Sequence, residues 1–361
     1  MSKQLKKNRE EIDKIDEELV QLINKRCELA KEIGEIKRFK NMPIENKKRE
    51  NEVLAHVKSL ANPVIRDKIE IIWKEFIALA LSIEGHNNKI AYLGPEGSFT
   101  QQAVLHNFPK ANSEFIPELS IRDIFAKVDG NYYDFGIVPI ENSIEGSVGE
   151  TLDRLIEFEV KIYAELELRI IQSVIGIEKI PFSEIKKIYS HPQAIAQTSL
   201  WRAKNCPNAE VIEVGSTSQA VKKVKELNDK YCVAIGNALS AQVYTLEELE
   251  KGIENNTQNY TRFIVIAKKD QESSENDKTS IVFVVKHEPG SLFSILKIFA
   301  ENKVNLTKIE SRPAKNGLWE YIFFCDYEGH IENTRPIIDK IKESTIWMKI
   351  LGSYPKGKKY E

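Results

Sequence analysis

Seven apolar residues near the start of the chain, Ile12, Ile15, Leu19, Leu22, Leu29, Ile33 and Ile36, recur at helical spacing. That spacing places them on one stripe of a single α-helix. Run over residues 5–39, such a helix is on the order of 50 Å long at about 1.5 Å per residue. A domain of roughly 85 residues is narrower than that. The stripe is therefore expected to lie along a second copy of itself, which makes a homodimer the expected assembly.

Cations interrupt the stripe. Arg26 falls between Leu22 and Leu29 on the apolar face, and Lys37 shares that face about three turns on. A buried cation needs a partner, because desolvating it alone costs several kcal/mol. A second helix over residues 45–60 turns Val53, Val57 and Leu60 inward, with Arg49 one turn before Val53 and Glu50 beside it. A third carries Ile65, Ile69, Ile72, Phe76, Leu79 and Ile83, with Ala80 and Glu84 at the edge of the seam. Two readings stand. The charges form interhelical ion pairs with snorkelling stems, or Arg26, Lys37 and Arg49 line a pocket for a small dianion.

The 361 residues suggest two or three domains, and 42% hydrophobic content is ample for packed cores. A net charge of -2 gives no field toward nucleic acid or a membrane. Cys27, Cys206, Cys232 and Cys325 are scattered, with no CxxC pair and no His at ligand spacing, so no metal is expected. The first residues lead into charge rather than an apolar signal core, and no run approaches the roughly 20 apolar residues of a membrane helix. A reduced, cytoplasmic protein is expected. Polar breaks at 85–88 and 268–278 divide the chain into expected domains 1–86, 89–268 and 279–361.

In the middle block, strand-like runs alternate with helix-like ones, the mark of an α/β sheet. Strands over 89–93, 133–140, 188–190, 210–214 and 231–235 each end in Gly, Ser, Thr or Asn at a helix start or turn. Free N–H groups and the helix dipole there attract anions, although capping explains any one such residue. No Gly-Lys-Ser/Thr and no GxGxxG occurs, so no nucleotide cofactor is expected. Asn259-Tyr260-Thr261-Arg262-Phe263 runs into the apolar strand 263–267. It puts a hydroxyl and a guanidinium at the mouth of a sheet, where α/β proteins bind small ligands. The plain alternative is a polar turn before a strand. Past the linker, strand 280–285, helix 289–301, strands 306–311 and 319–327, helix 331–342 and strand 347–354 make a βαββαβ, ferredoxin-like sandwich.

These stretches carry resemblances. Arg9 through Arg26, Gly34 and Lys37 to Arg49-Glu50 resembles the all-helical chorismate mutase family. GPEGSFT, VPIENSIEGSV, YSHPQAIAQ, GSTSQAV and NYTRF, in that order, resemble prephenate dehydratase, whose two α/β lobes are similar to periplasmic binding proteins. Gly290-Ser291-Leu292 and Glu310-Ser311-Arg312-Pro313 resemble the phenylalanine-binding loops of ACT-type regulatory domains. The resemblance implies a bifunctional enzyme that rearranges chorismate to prephenate, then decarboxylates and dehydrates prephenate to phenylpyruvate, under feedback inhibition by phenylalanine. It implies that Arg26 and Arg49 hold carboxylates, that Arg9 reaches in from a partner subunit, that Lys37 faces the ether oxygen and Glu50 the ring hydroxyl. Asn46, Ala80 and Glu84 stand where Asp, Ser and Gln are common, and a Glu donates only when protonated. In the middle block it implies Thr261 as proton donor to the leaving hydroxide, with Asn142, Ser190 and Gln197 positioning the substrate and Arg262 holding a carboxylate or the loop. Two alternatives remain: a dehydratase whose N-terminal helices only dimerise, and a non-catalytic amino-acid sensor.

Overall fold

The structure is a computed structural model that describes residues 3–313 and 321–360. Met1, Ser2 and the first residues of the strand expected over 319–327, Trp319 and Glu320, lie outside the described residues. The chain divides into two compact units. One is helical and built on the residues up to Asn88 with the stretch Phe108–Glu114. The other holds Lys89–Asn107 and the chain from Phe115 on.

The helical unit has three helices, α1 Lys3–Phe39, α2 Lys47–Leu60 and α3 Arg66–Ile83. The α1 helix ends at Phe39 as expected and begins two residues earlier, at Lys3, for 37 residues in all. Asn46 starts α2 by accepting a hydrogen bond from Arg49 N at 3.0 Å, which satisfies an orphan N–H of the first turn. α3 packs against both other helices. Yet α1 buries only Ala30 and Gly34, and the seven stripe residues remain 46% to 64% exposed. Leu60, Ile65 and Ile72, expected to face inward, are exposed as well.

The larger unit is built on three sheets. The first runs Lys358–Tyr360, Lys161–Arg169, Tyr260–Ala267, Phe135–Asn142, Asn88–Leu93, Ser113–Glu118, with Gly146–Ser147 folded back on Phe135–Asn142. The second runs Glu247–Lys251, Ser173–Gly176, Cys232–Gly236, Lys187–Ser190, Glu210–Glu213. The chain leaves the first sheet after Arg169 and returns at Tyr260. Its two crossings are tied by Ile170 N to Asn259 O at 2.8 Å and Gly252 N to Gln172 O at 2.9 Å. Two lobes joined by a double crossing leave a cleft between them.

The third sheet runs Leu306–Pro313, Tyr321–Glu328, Asp277–Val284, Trp347–Pro355, all antiparallel, with helices Ser291–Glu301 and Ile331–Glu343. This is the expected βαββαβ order. Its first strand begins inside the expected 268–278 linker. Asp277 is buried and accepts from Ser274 N at 2.7 Å, a polar anchor that an apolar-run reading passes over. One face of this sheet packs its own helices through Phe283, Ile295, Phe299 and Ile338. The other face shares a core with the first sheet, where Val282, Phe324, Leu351 and Tyr354 meet Val138, Ile162, Ile264 and Ile266. Beyond Pro355 the chain returns and pairs Lys358–Tyr360 with the Lys161–Arg169 strand.

Close approach of the two sheets depends on Gly352. A Cβ there would run into the Ile162 backbone, and φ is +153°. Gly352→Ala is expected to cost on the order of 3 kcal/mol, read as a fall in the urea midpoint of the larger unit. An unchanged midpoint would show that the contact yields freely.

Candidate active sites

In the helical unit a cavity of about 400 Å³ opens between the three helices, lined by Arg26, Lys37, Asn46, Arg49, Glu50, Ala80 and Glu84 among others. Of the residues that carry the mutase resemblance, Arg9 and Gly34 alone do not border it. Lys37 Nζ donates to Glu84 Oε2 and to Ile44 O, both at 2.6 Å. Gly34 lets this happen, because a Cβ there would press on the Glu84 Cα at 3.0 Å. Arg26 donates to Phe76 O at 2.7 Å. Arg49 is largely exposed and reaches Glu52 at 3.2 Å. Glu50 keeps a buried Oε1 with no hydrogen bond, so an acceptor stands ready for a donor from a ligand. Lys37 and Arg49 are paired with carboxylates and Arg26 is tied to a carbonyl, as the ion-pair reading expects, and all three also line the cavity. Arg9 lies seventeen residues before Arg26 on the same helix, about 25 Å away along the axis, and cannot reach its own cavity.

The cleft between the two lobes encloses about 470 Å³. Its walls are the strand-end loops that the sequence marks, together with Gln172 from the first crossing. Thr261 and Asn142 face each other on adjacent strands. Asn142 Nδ2 donates to Thr261 Oγ1 at 3.0 Å and to Asn259 Oδ1 at 2.8 Å. Asn259 Nδ2 in turn donates to Gln197 Oε1 at 3.0 Å, and Gln197 reaches Glu145 at 3.5 Å. Asn142 Oδ1 accepts from Ile144 N and Glu145 N, which shapes the loop that follows. An amide that donates to Thr261 occupies a lone pair and leaves the hydroxyl proton for another partner. Thr261, Asn142 and Gln197 are therefore brought together in one network.

Two other residues are not. Ser190 is fully buried and donates to Ile235 O at 2.8 Å, off the cleft wall. Its neighbour His191 lines the cleft and caps the helix Pro192–Gln197 by accepting from Gln193 N. Arg262 lies inside the strand Tyr260–Ala267 rather than before it. Side chains alternate along a strand, so with Thr261 toward the cleft Arg262 projects from the other face. There its Nε meets Glu165 at 2.6 Å, and its NH2 meets Asp326 at 2.8 Å and Tyr354 OH at 3.1 Å. Burial alone would lower the Arg262 pKa, but its contacts with Tyr354 and with the carboxylates of Asp326 and Glu165 drive it well above the usual guanidinium value. Ser98, Thr100, Gln172, Gln193 and Thr217 also line the cleft and were not singled out. All but Gln172 sit within the quoted motifs. Gln172 follows an apolar pair, with no local signal.

In the third sheet, Gly290 starts the helix Ser291–Glu301 at φ +88°. Ser291 and Leu292 line a hollow of about 170 Å³ with Val285, Tyr321, Phe323 and Ile346. Glu310-Ser311-Arg312-Pro313 does not border it. Along this edge strand Ser311 and Pro313 are exposed. Glu310 accepts from Ser147 Oγ, and Arg312 donates to Gly149 O at 2.6 Å and pairs with Asp153 at 3.2 Å. Among the described residues no group of three or more His, Cys, Asp or Glu is placed to hold a metal, and no helix is long and apolar enough to cross a membrane.

Comparison with known proteins accounts for all three parts. The family model for chorismate mutase type II matches residues 8–85, that for prephenate dehydratase 90–271, and that for the ACT domain 279–344. The chain is 42% identical to the bifunctional chorismate mutase/prephenate dehydratase of Aquifex aeolicus (strain VF5), over 98% of each chain. It is 41% identical to the prephenate dehydratase of Methanocaldococcus jannaschii over 74% of this chain and 98% of that one. Among solved structures, the prephenate dehydratase of Arthrobacter aurescens in complex with L-Phe superposes with a TM-score of 0.68 at 32% identity, covering 74% of this chain and 90% of that one. With its helical mutase domain, its two-lobed dehydratase domain and its ACT domain, the chain belongs to the bifunctional chorismate mutase/prephenate dehydratase family.

Proposed function

We propose that the helical cavity rearranges chorismate to prephenate and that the inter-lobe cleft converts prephenate to phenylpyruvate. The observation that carries the reading is the Thr261–Asn142–Asn259–Gln197 network, which aims one hydroxyl into a polar cleft. Loss of carbon dioxide and water from prephenate restores an aromatic ring, which supplies the driving force. The enzyme must hold two carboxylates and help hydroxide depart. Thr261 serves as the proton donor, directly or through water, and Asn142 orients it. Gln197 positions the substrate from the other lobe, and Ser190 supports the loop that carries His191.

In the mutase cavity no nucleophile is needed. Catalysis comes from holding the folded conformer and stabilising charge on the breaking ether oxygen. Arg26 and Arg49 hold carboxylates, Lys37 faces the ether oxygen, and Glu50 accepts from the ring hydroxyl. The exposed α1 stripe supports a homodimer, in which Arg9 of the partner subunit completes the cavity. Phenylalanine is the effector of the ACT domain, bridging two such domains across a dimer interface, with Gly290, Ser291 and Leu292 from one and the Glu310–Pro313 stretch from the other. The charge balance and scattered thiols support a cytoplasmic enzyme.

Thr261→Ala is expected to lower dehydratase turnover by about a hundredfold or more while chorismate is consumed at the wild-type rate; loss of both activities, or of neither, overturns the assignment. Glu84→Gln replaces the carboxylate that pairs with Lys37 by an amide with a standing N–H donor, and is expected to raise chorismate turnover while prephenate turnover stays at the wild-type rate; an unchanged mutase rate would remove Glu84 from that role. Gly290→Ala forces a side chain into a left-handed backbone at the helix start. It is expected to weaken inhibition of the dehydratase by phenylalanine, measured as a dose–response; wild-type sensitivity would dispose of the effector site.

A further inference from the structure

Arg262 adjoins the proposed proton donor in sequence, but the strand sends it away from the cleft into a seam of charges between two sheets. Its guanidinium side chain is 11% exposed and meets four groups. Glu165 and Glu141 belong to the first sheet, and Asp326 and Tyr354 to the ACT sheet. Each partner is itself held. Glu165 also receives Lys278 Nζ at 2.9 Å and Gly357 N at 3.1 Å, so the linker end and the returning tail converge on it. Asp326 accepts from Ser280 Oγ at 2.6 Å. Glu141 pairs with Lys308 at 2.9 Å, and Lys308 donates to Ser147 Oγ at 2.8 Å. Ser147 lines the cleft.

The register between Tyr260–Ala267 and Phe135–Asn142 slips at this place. Arg262 lies opposite Glu141, while Phe263 lies opposite Pro139. One strand therefore carries an extra residue, Ile140, directly after the Arg262–Glu141 pair and one pair along from Thr261–Asn142. A bulge is where a strand bends and re-aims its side chains. The four-way grip on Arg262 holds the chain at that bend, and half of the grip is made by the ACT sheet. Lys308, Glu310 and Arg312, alternate residues of one ACT edge strand, hold the cleft-wall segment from Glu141 to Asp153 in the same way.

We propose that Arg262 is a positioning residue that does not touch the substrate. Clamped between Glu165 and Glu141 on one side and Asp326 and Tyr354 on the other, it sets the bend at which Thr261 and Asn142 meet, and so carries the state of the ACT sheet to the proton donor. The regulatory half rests on the reading of phenylalanine as effector; the positioning half does not.

Steady-state kinetics on the full chain separates the possibilities. Asp326→Asn keeps the shape of the seam and removes one charge. Tyr354→Phe removes only a hydroxyl. Arg262→Lys keeps the cation but loses the planar fork. All three are expected to lower dehydratase kcat by about ten- to a hundredfold with KM for prephenate little changed, since a small misplacement of a reacting group has that effect. Chorismate turnover and the urea midpoint report on folding. Phenylalanine is expected to bind Asp326→Asn and Tyr354→Phe with wild-type affinity by calorimetry, while its maximal inhibition falls. A rise in KM at unchanged kcat in Arg262→Lys would mark a lost substrate contact and overturn the proposal. So would wild-type kcat and wild-type inhibition in both ACT-side variants. If the wild-type chain neither binds nor responds to phenylalanine, the effector reading fails alone, and the division between kcat and KM still decides the role of Arg262.

Discussion

A single guanidinium placed between two β-sheets governs how the larger unit is put together. Taking a cation out of water costs several kcal/mol unless the surroundings replace its hydration. Around Arg262 that replacement is assembled only when strand Lys161–Arg169, strand Tyr260–Ala267 and the ACT strands bearing Asp326 and Tyr354 are all in place. Removing one partner of such a group costs about 3–5 kcal/mol, because a charge is left unpaired. The same geometry that stabilises poorly on average is specific: the planar fork accepts only certain partners at certain angles. Burial pushes the Tyr354 phenol well above its usual value, and Asp326 adds to this, so the hydroxyl remains protonated and available to the seam.

The apolar contacts around that seam make the catalytic and ACT sheets one body. Leu351 and Phe324 sit in the same core as Ile264 and Ile266, which follow Thr261 on its own strand. The chain enters the ACT sheet at Asp277 and comes back to the catalytic sheet at Lys358–Tyr360. There Tyr360 stacks on His106 with ring centres 4.6 Å apart, and Lys359 lies 5.4 Å from the Tyr260 ring centre. A domain tied at both ends and sharing a core cannot shift without stressing the strand beside it.

The helical unit follows a different logic. Its cavity is built by close packing of α1 on α3, with Gly34 against Glu84, and by the Lys37–Glu84 pair. Its apolar stripe is left uncovered by its own helices. Exposed apolar surface of this kind marks an interaction face, and the proposed homodimer would cover it.

Much of this was legible in residue order. The helical spacing of Ile12 to Ile36 dictated one long helix and an unfinished face, since periodicity is a local property of the chain. The βαββαβ order and the strand-end loops with Asn142, Gln197 and Thr261 were legible for the same reason: Gly, Ser, Thr and Asn act on the turn they occupy. Ser190 and Arg262 were harder. Adjacent residues of a strand point in opposite directions, and which direction is the cleft depends on what covers each face. Strands 161–169 and 173–176 and the tail strand went unmarked, because pairing partners supply their definition. The sequence by itself determined the three architectures and the chemical groups available to them. Only the tertiary structure decided that Thr261 faces the cleft while Arg262 faces the ACT sheet. That choice is made by Glu165, Asp326 and Tyr354, groups 64 to 97 positions away along the chain, whose proximity no local pattern encodes.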